Sequence, residues 1–189
     1  INLGKLDFAL SKDFSYMFKD CSNLEKLDVS YFNTENSKSF SYMFYRCSKL
    51  KEINVSNFKT KNCESIISMF ERCSSIECID MLKWDTNQLG TNDIDGLFND
   101  CSNLKSIKMN FEEKNVFHFS MFKKINISFK IEIKGLYPLK LDFLFNSSQA
   151  DKNNIFNGLP ENGIFIWKKG VNCNKLLKDL PVSWNRSQE

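Results

Sequence analysis

Apolar residues recur along the first half of this chain with the spacing of one face of a helix. Phe14, Met17, Phe18 and Cys21 lie at positions i, i+3, i+4 and i+7, the apolar stripe of a two-turn amphipathic helix. Three further segments share this spacing: Phe40, Met43, Phe44 and Cys47; Ile66, Met69, Phe70 and Cys73; and Ile94, Leu97, Phe98 and Cys101. Because so short a helix is unstable alone in water, the pattern predicts helices whose stripes are covered by packing.

A second pattern follows each of these segments. Leu24, Leu27 and Val29 have the spacing of a short strand that is entered from a bend and points alternate side chains inward. The equivalent residues of the other copies are Leu50, Ile53 and Val55; Ile76, Ile79 and Met81; and Leu104, Ile107 and Met109. Three copies end in an aromatic residue and a Thr: Phe32 and Thr34, Phe58 and Thr60, and Trp84 and Thr86. A pattern that returns at a fixed interval predicts repeats that stack around one continuous core.

The combined pattern M-F-x-x-C-S-x-L-x-x-L-D-V-S-x-F-x-T resembles the BspA-like leucine-rich repeat family, in its mycoplasma and protist surface-protein variant. The resemblance covers residues 14–110, about half of the chain. It implies an α/β fold: a leucine-rich-repeat solenoid with parallel strands on one face and short helices or helical turns on the other. It also implies a surface protein that acts in attachment or binding.

The pattern weakens after Asn110. Met121 repeats the helical position, Ile131 lies in an alternating segment that predicts a strand, and Ile164–Trp167 predicts another. Asn174–Leu180 predicts a short helix that Pro181 ends. We therefore expect one domain over residues 1–189, with about four regular repeats in 1–110 and degenerate repeats with a C-terminal cap in 111–189.

The seven cysteines do not have the distribution of a disulfide framework. Four of them, Cys21, Cys47, Cys73 and Cys101, share one repeat position. Stacked repeats would place these four in a ladder inside the core, where a free thiol acts as a small hydrophobic group. Cys63, Cys78 and Cys173 lie off this ladder.

The sequence favours a protein that is not an enzyme and needs no cofactor or metal. The one histidine of the chain, His118, fills an apolar repeat position. The sequence has neither a glycine-rich phosphate loop nor a pair of closely spaced metal ligands. The net charge of +3 comes without a basic helix or an aromatic stacking platform, so nucleic acid is not an expected partner. It also contains no apolar run long enough to span a membrane.

The candidate partner-binding residues lie between the buried positions of the predicted strands, where side chains point outward. They are Lys26, Asp28, Glu52, Asn54, Cys78, Asp80, Ser106 and Lys108. In stacked repeats they would form rows, and the row that varies most, Lys26, Glu52, Cys78 and Ser106, suits specific recognition. The alternative is that the Asp and Ser residues of these segments only cap the turn that follows each strand.

Two functions follow from these patterns. The first is an interaction or adhesion module, extracellular or at the cell surface, that presents its strand face to a protein or glycan. The second is a structural scaffold subunit of a larger cytoplasmic or cytoskeletal assembly.

Overall fold

The computed structural model of the protein describes residues 8–90, 92–109, 121, 130–133, 164–167 and 185–188. Its strands are four residues long: β1 (Cys78–Met81), β2 (Ser106–Met109), β3 (Lys130–Ile133), β4 (Ile164–Trp167) and β5 (Asn185–Gln188). One short 3₁₀ helix spans Asn92–Ile94. The expected strands at 164–167 and within 127–133 are confirmed as β4 and β3.

The five strands form one parallel sheet in chain order, β1-β2-β3-β4-β5. Strand β1 pairs with β2 so that Ile79 faces Ile107 and Asp80 faces Lys108. Within β1 the side chains alternate between exposed and buried, because successive residues of a strand point to opposite faces. The two preceding repeats have no strand at the equivalent positions. They are joined there by an isolated parallel bridge between Lys26 and Glu52.

The segments predicted as helices are chains of turns. We call residues 14–21, 40–47, 66–73 and 94–101 the turn segments. In the first of them the backbone N–H groups of Met17, Lys19 and Cys21 donate to carbonyls three residues earlier, at 3.4, 3.0 and 3.1 Å, whereas an α-helix pairs each residue with the fourth one before it. Tyr16 and Asp20 have φ angles of 64° and 60°, which end any right-handed helix.

The remaining N–H groups of a turn segment bind the next repeat. Phe14, Tyr16, Phe18 and Asp20 donate to the carbonyls of Ser39, Ser41, Met43 and Tyr45 at 2.8–3.0 Å, and the same ladder joins the second to the third turn segment and the third to the fourth. It continues to Met121, whose carbonyl accepts from the N–H of Phe98 at 2.8 Å. Hydrogen bonding between repeats therefore takes the place of hydrogen bonding within a helix.

The expected α/β leucine-rich-repeat solenoid with helices on one face is therefore wrong. No α-helix occurs among the described residues, and the strands are few and short. The expected helix at 174–180 lies outside the described residues. The division into 1–110 and 111–189 within one domain stays a prediction.

The core holds the apolar stripes in columns. Rings at equivalent positions stack along the repeats: Phe18, Phe44, Phe70 and Phe98 are separated by 5.5, 5.5 and 5.9 Å between centroids. Phe32, Phe58 and Trp84 form a second column, in which the buried Trp84 indole donates to the Val55 carbonyl at 2.9 Å. Burial of the predicted stripe is thus correct for nearly all its members, although its backbone is not helical.

The cysteine ladder lies in this core. The thiols of Cys47, Cys73 and Cys101 are buried and donate to the carbonyls of Phe18, Phe44 and Phe70 at 3.1, 3.1 and 2.9 Å. Cys21, at the first described position of the ladder, is half-buried. The predicted ladder of free buried thiols is therefore confirmed for three of its four members.

Candidate functional site

The structure places the eight predicted partner-binding residues on one surface, which we call the strand face. Lys26, Asp28, Glu52, Asn54, Cys78, Asp80 and Lys108 are exposed, and Ser106 is half-buried. Neighbouring repeats bring these side chains together in pairs. The Lys26 ammonium lies 3.3 Å from the Glu52 carboxylate, and Lys108 lies 3.9 Å from Asp80.

Three of these residues also cap the turn after the strand. Asp28, Asn54 and Asp80 accept from the backbone N–H groups two residues ahead, those of Ser30, Ser56 and Leu82, at 2.9, 3.1 and 3.1 Å. Hydrogen bonds from the Ser30 hydroxyl and from the Ser30 N–H lower the pKa of Asp28, because both favour the charged carboxylate. The capping role that the sequence left open for the Asp residues is confirmed at Asp28 and Asp80, and Asn54 acts in the same way.

Charges on the strand side of the repeats are paired beyond the eight predicted residues. Lys51 lies 3.8 Å from Glu25, and Lys105 lies 2.8 Å from Glu77. Each pair joins equivalent positions of adjacent repeats and is more than half exposed. The strand face is therefore an exposed, nearly neutral surface on which positive and negative side chains are paired.

The cysteines fall into two chemical environments. Burial raises the pKa of the Cys47, Cys63 and Cys101 thiols to about 12, and that of Cys73 well above its ordinary value. Such thiols are protonated at neutral pH and are poor nucleophiles. Cys78, by contrast, is exposed on the strand face. Among the described residues, no three potential ligands are grouped so as to hold a metal ion.

A second surface, on the turn side, was not predicted. Tyr16 and Tyr42 stack with their centroids 5.0 Å apart and their planes 4° from parallel, and Tyr45 meets Tyr42 edge-on at 5.6 Å. Lys19 and Arg46 lie against these rings. We call these five residues the tyrosine patch. The sequence did contain a signal for it, since Tyr16 and Tyr42 occupy equivalent repeat positions.

These features define a repeat protein in which parallel backbone ladders hold the repeats in register and exposed side chains form rows across them. The chain belongs to the family described as Mycoplasma protein of unknown function, DUF285, whose model matches residues 12–136. No curated protein and no solved structure matches the chain. In the described part of the chain, no helix has the length and apolar character of a membrane span.

Proposed function

We propose that this protein is a non-catalytic interaction or adhesion module whose strand face binds a protein or glycan partner. The observation that carries the proposal is the register of the exposed positions. Lys26 is paired with Glu52 and Cys78 with Ser106, so the side chains of adjacent repeats lie next to each other within each of these two pairs. Side chains aligned in this way present a fixed pattern of polar groups to an extended partner surface.

The row Lys26, Glu52, Cys78 and Ser106 is the stronger source of specificity. The neighbouring residues Asp28, Asn54 and Asp80 already have a structural task, because each caps a turn. The first row makes no such cap and changes in charge and chemistry at each step. We therefore expect a partner to be recognised mainly through Lys26, Glu52, Cys78 and Ser106.

The finer family identity belongs to the same proposal. Membership of the matched family agrees with the resemblance to BspA-like repeats, and we propose an extracellular or cell-surface location on that basis. The support for both is the repeat pattern itself and the matched family.

One observation favours the alternative of a structural scaffold subunit in a cytoplasmic or cytoskeletal assembly. The charges of the strand face already satisfy one another through Lys26–Glu52 and Asp80–Lys108. A surface whose charges are compensated within the chain can serve to hold the repeats in register without any partner.

A charge-swapped pair separates the two functions. The double variant Lys26→Glu/Glu52→Lys keeps the ion pair but inverts the pattern that a partner would meet. We expect it to lose binding to whatever immobilised glycan or extracellular protein retains the native chain in a solid-phase screen, at an unchanged Tm. The matched control is Lys38→Glu/Glu64→Lys, which swaps a 2.6 Å pair elsewhere on the repeats. Equal binding by the native chain and both variants would contradict recognition through the strand face.

A further inference from the structure

Two residues of the tyrosine patch have a backbone conformation that is unfavourable for an aromatic residue. Tyr16 and Tyr42 have φ angles of 64° and 59°, in the left-handed region that disfavours side chains with a Cβ. The equivalent residues of the next two repeats are Ser68 and Gly96, and glycine is the residue that this conformation favours. Aromatic residues at these two positions are therefore not explained by the turn that they occupy.

The core does not explain them either. Tyr16 is 54 % exposed and Tyr42 is half-buried, whereas the phenylalanines of the same turn segments are buried in the columns of rings. The left-handed conformation itself recurs in all four turn segments, so what distinguishes the first two repeats is the exposed aromatic surface, which is typical of a binding site.

Two cations complete the patch. The Lys19 ammonium lies 5.4 Å from the Tyr16 ring centre and 5.6 Å from that of Tyr45, and the Arg46 guanidinium lies 5.1 Å from the Tyr45 ring centre. Arg46 also pairs with Asp20 at 3.6 Å. Lys19 belongs to none of the ion pairs in the described part of the chain. The rings orient the cations, and Lys19 is available to an anion.

The backbone of this surface is already occupied. The N–H groups of Tyr16, Asp20 and Tyr42 donate to Ser41, Tyr45 and Ile67 of the following repeat at 3.0, 2.8 and 2.8 Å. An extended peptide that adds itself as a strand needs free backbone groups, and these three do not provide them. Recognition at the patch must therefore use side chains: aromatic faces, phenol hydroxyls and two cations.

We propose that the tyrosine patch is a binding site for an anionic polysaccharide. The exposed part of the Tyr16 side chain would pack against the apolar C–H face of a sugar ring, while Lys19 and Arg46 would donate charge-assisted hydrogen bonds to its carboxylate or sulfate groups. The site lies on the turn side of the first two repeats and is independent of the strand face, so either surface can bind without the other.

Isothermal titration of the whole chain with defined polymers tests this assignment. The probes are dextran sulfate and polygalacturonate, which carry sulfate and carboxylate groups respectively, with neutral dextran and poly-glutamate as comparisons. We expect saturable binding to one or both anionic polysaccharides, and the stronger of the two identifies the acidic group. Binding of poly-glutamate as tight as that of the polysaccharides would instead indicate an acidic peptide and overturn the proposal, as would the absence of binding to either polysaccharide.

Single substitutions locate the site. Tyr16→Gly places the residue of Gly96 at the equivalent position, so we expect at least tenfold weaker binding without a fall in Tm. Lys19→Gln should weaken binding and reduce its dependence on salt concentration, and it tests the site even if Tyr16→Gly disturbs the fold. The matched controls are Tyr31→Ser and Lys61→Gln, which remove an exposed ring and an exposed charge elsewhere. Losses with Lys61→Gln as large as those with Lys19→Gln would show diffuse electrostatic attraction and overturn the assignment to the patch.

Discussion

The strand segment and the turn segment of each repeat both bond to the neighbouring repeat, but through different backbone conformations. The strand segments pair as parallel strands or bridges, and their exposed charges neutralise one another across repeats. The turn segments also bond from repeat to repeat through the backbone, but with left-handed residues at every fourth position, Tyr16 and Asp20 in the first. Hydrogen bonds between the backbones of adjacent repeats can therefore hold the repeats in register without regular secondary structure.

The surfaces of these two segments differ accordingly. On the strand face, Lys26 and Lys108 are paired with the carboxylates of Glu52 and Asp80. On the turn side, the first two repeats carry Tyr16, Tyr42 and Tyr45, whereas the next two have the small residues Ser68 and Gly96 at the first of these positions. The turn segments thus share one backbone conformation, whereas their exposed side chains change from repeat to repeat.

The largest effect is expected where the turn segments meet the core. Cys47→Asp would place a carboxylate where a buried thiol now donates to the Phe18 carbonyl at 3.1 Å. A buried charge without a partner should lower the free energy of unfolding by about 3 kcal/mol or more, which urea unfolding followed by circular dichroism would measure. Cys78→Asp on the exposed strand face is the control and should change stability by no more than about 0.5 kcal/mol. Similar losses for the two variants would contradict the buried ladder.

The buried thiols should also make stability fall at high pH. The ordinary pKa of a thiol is 9.0, and in the fold that of Cys47, Cys63 and Cys101 rises to about 12. Between these values the unfolded chain binds fewer protons than the folded chain, so the free energy of unfolding decreases as pH rises. The contribution is present below pH 9 and is lost progressively as the pH rises toward 12.

The comparison of variants isolates this effect from the titration of lysines and tyrosines. Cys101→Ala removes one thiol, so its urea midpoint should fall less steeply than that of the native chain between pH 8 and 10.5. Parallel profiles for the native chain and the variant would mean that Cys101 is not buried as a neutral thiol.

Gly96→Ala distinguishes the turn from a helix by the sign of its effect. In a helix the change would stabilise the chain by about 1 kcal/mol. In the observed turn Gly96 has a φ of +68°, and an added Cβ would lie 2.6 Å from the Ser68 hydroxyl oxygen. We therefore expect a loss of about 1–2 kcal/mol or more, measured by thermal or urea unfolding.

Gly90→Ala is the matched control for this prediction. Gly90 does not have a left-handed φ, and its added Cβ would meet only the flexible Asp93 side chain, at 3.0 Å. A gain in stability for Gly96→Ala would restore the helical interpretation of the turn segments.

The sequence predicted burial better than it predicted conformation. Spacings of 0, 3, 4 and 7 identify residues that share a face, and Phe40, Met43, Phe44 and Cys47 are indeed all buried. The same spacing fits a helix and a chain of four-residue turns. The choice between them depends on hydrogen bonds to the following repeat, such as that from the Phe14 N–H to the Ser39 carbonyl. Gly96, in the place of Tyr16 and Tyr42, was the local sign of a left-handed residue.

The candidate site was predictable to a similar degree. Alternation along the strands correctly identified the exposed positions except Ser106, which is half-buried, since alternation depends only on a period of two. The pairing of Lys26 with Glu52 depends on the register between repeats, and the tyrosine patch depends on where the turns project their side chains. Neither is encoded in the spacing within a single repeat.

The smallest effect is expected for the ion pairs of the strand face. The side chains of Lys26 and Glu52 are 71 % and 72 % exposed, so water and salt screen their attraction. A double-mutant cycle with Lys26→Gln and Glu52→Gln should give a coupling energy of about 0.2–1 kcal/mol that decreases with added salt. The more buried pair Arg72–Asp100, at 44 % and 29 % exposure, serves as the comparison and should couple more strongly. A coupling energy for Lys26–Glu52 well above this range would mean that the pair is a structural clamp of the repeats, and it would weigh toward the scaffold function over recognition by the strand face.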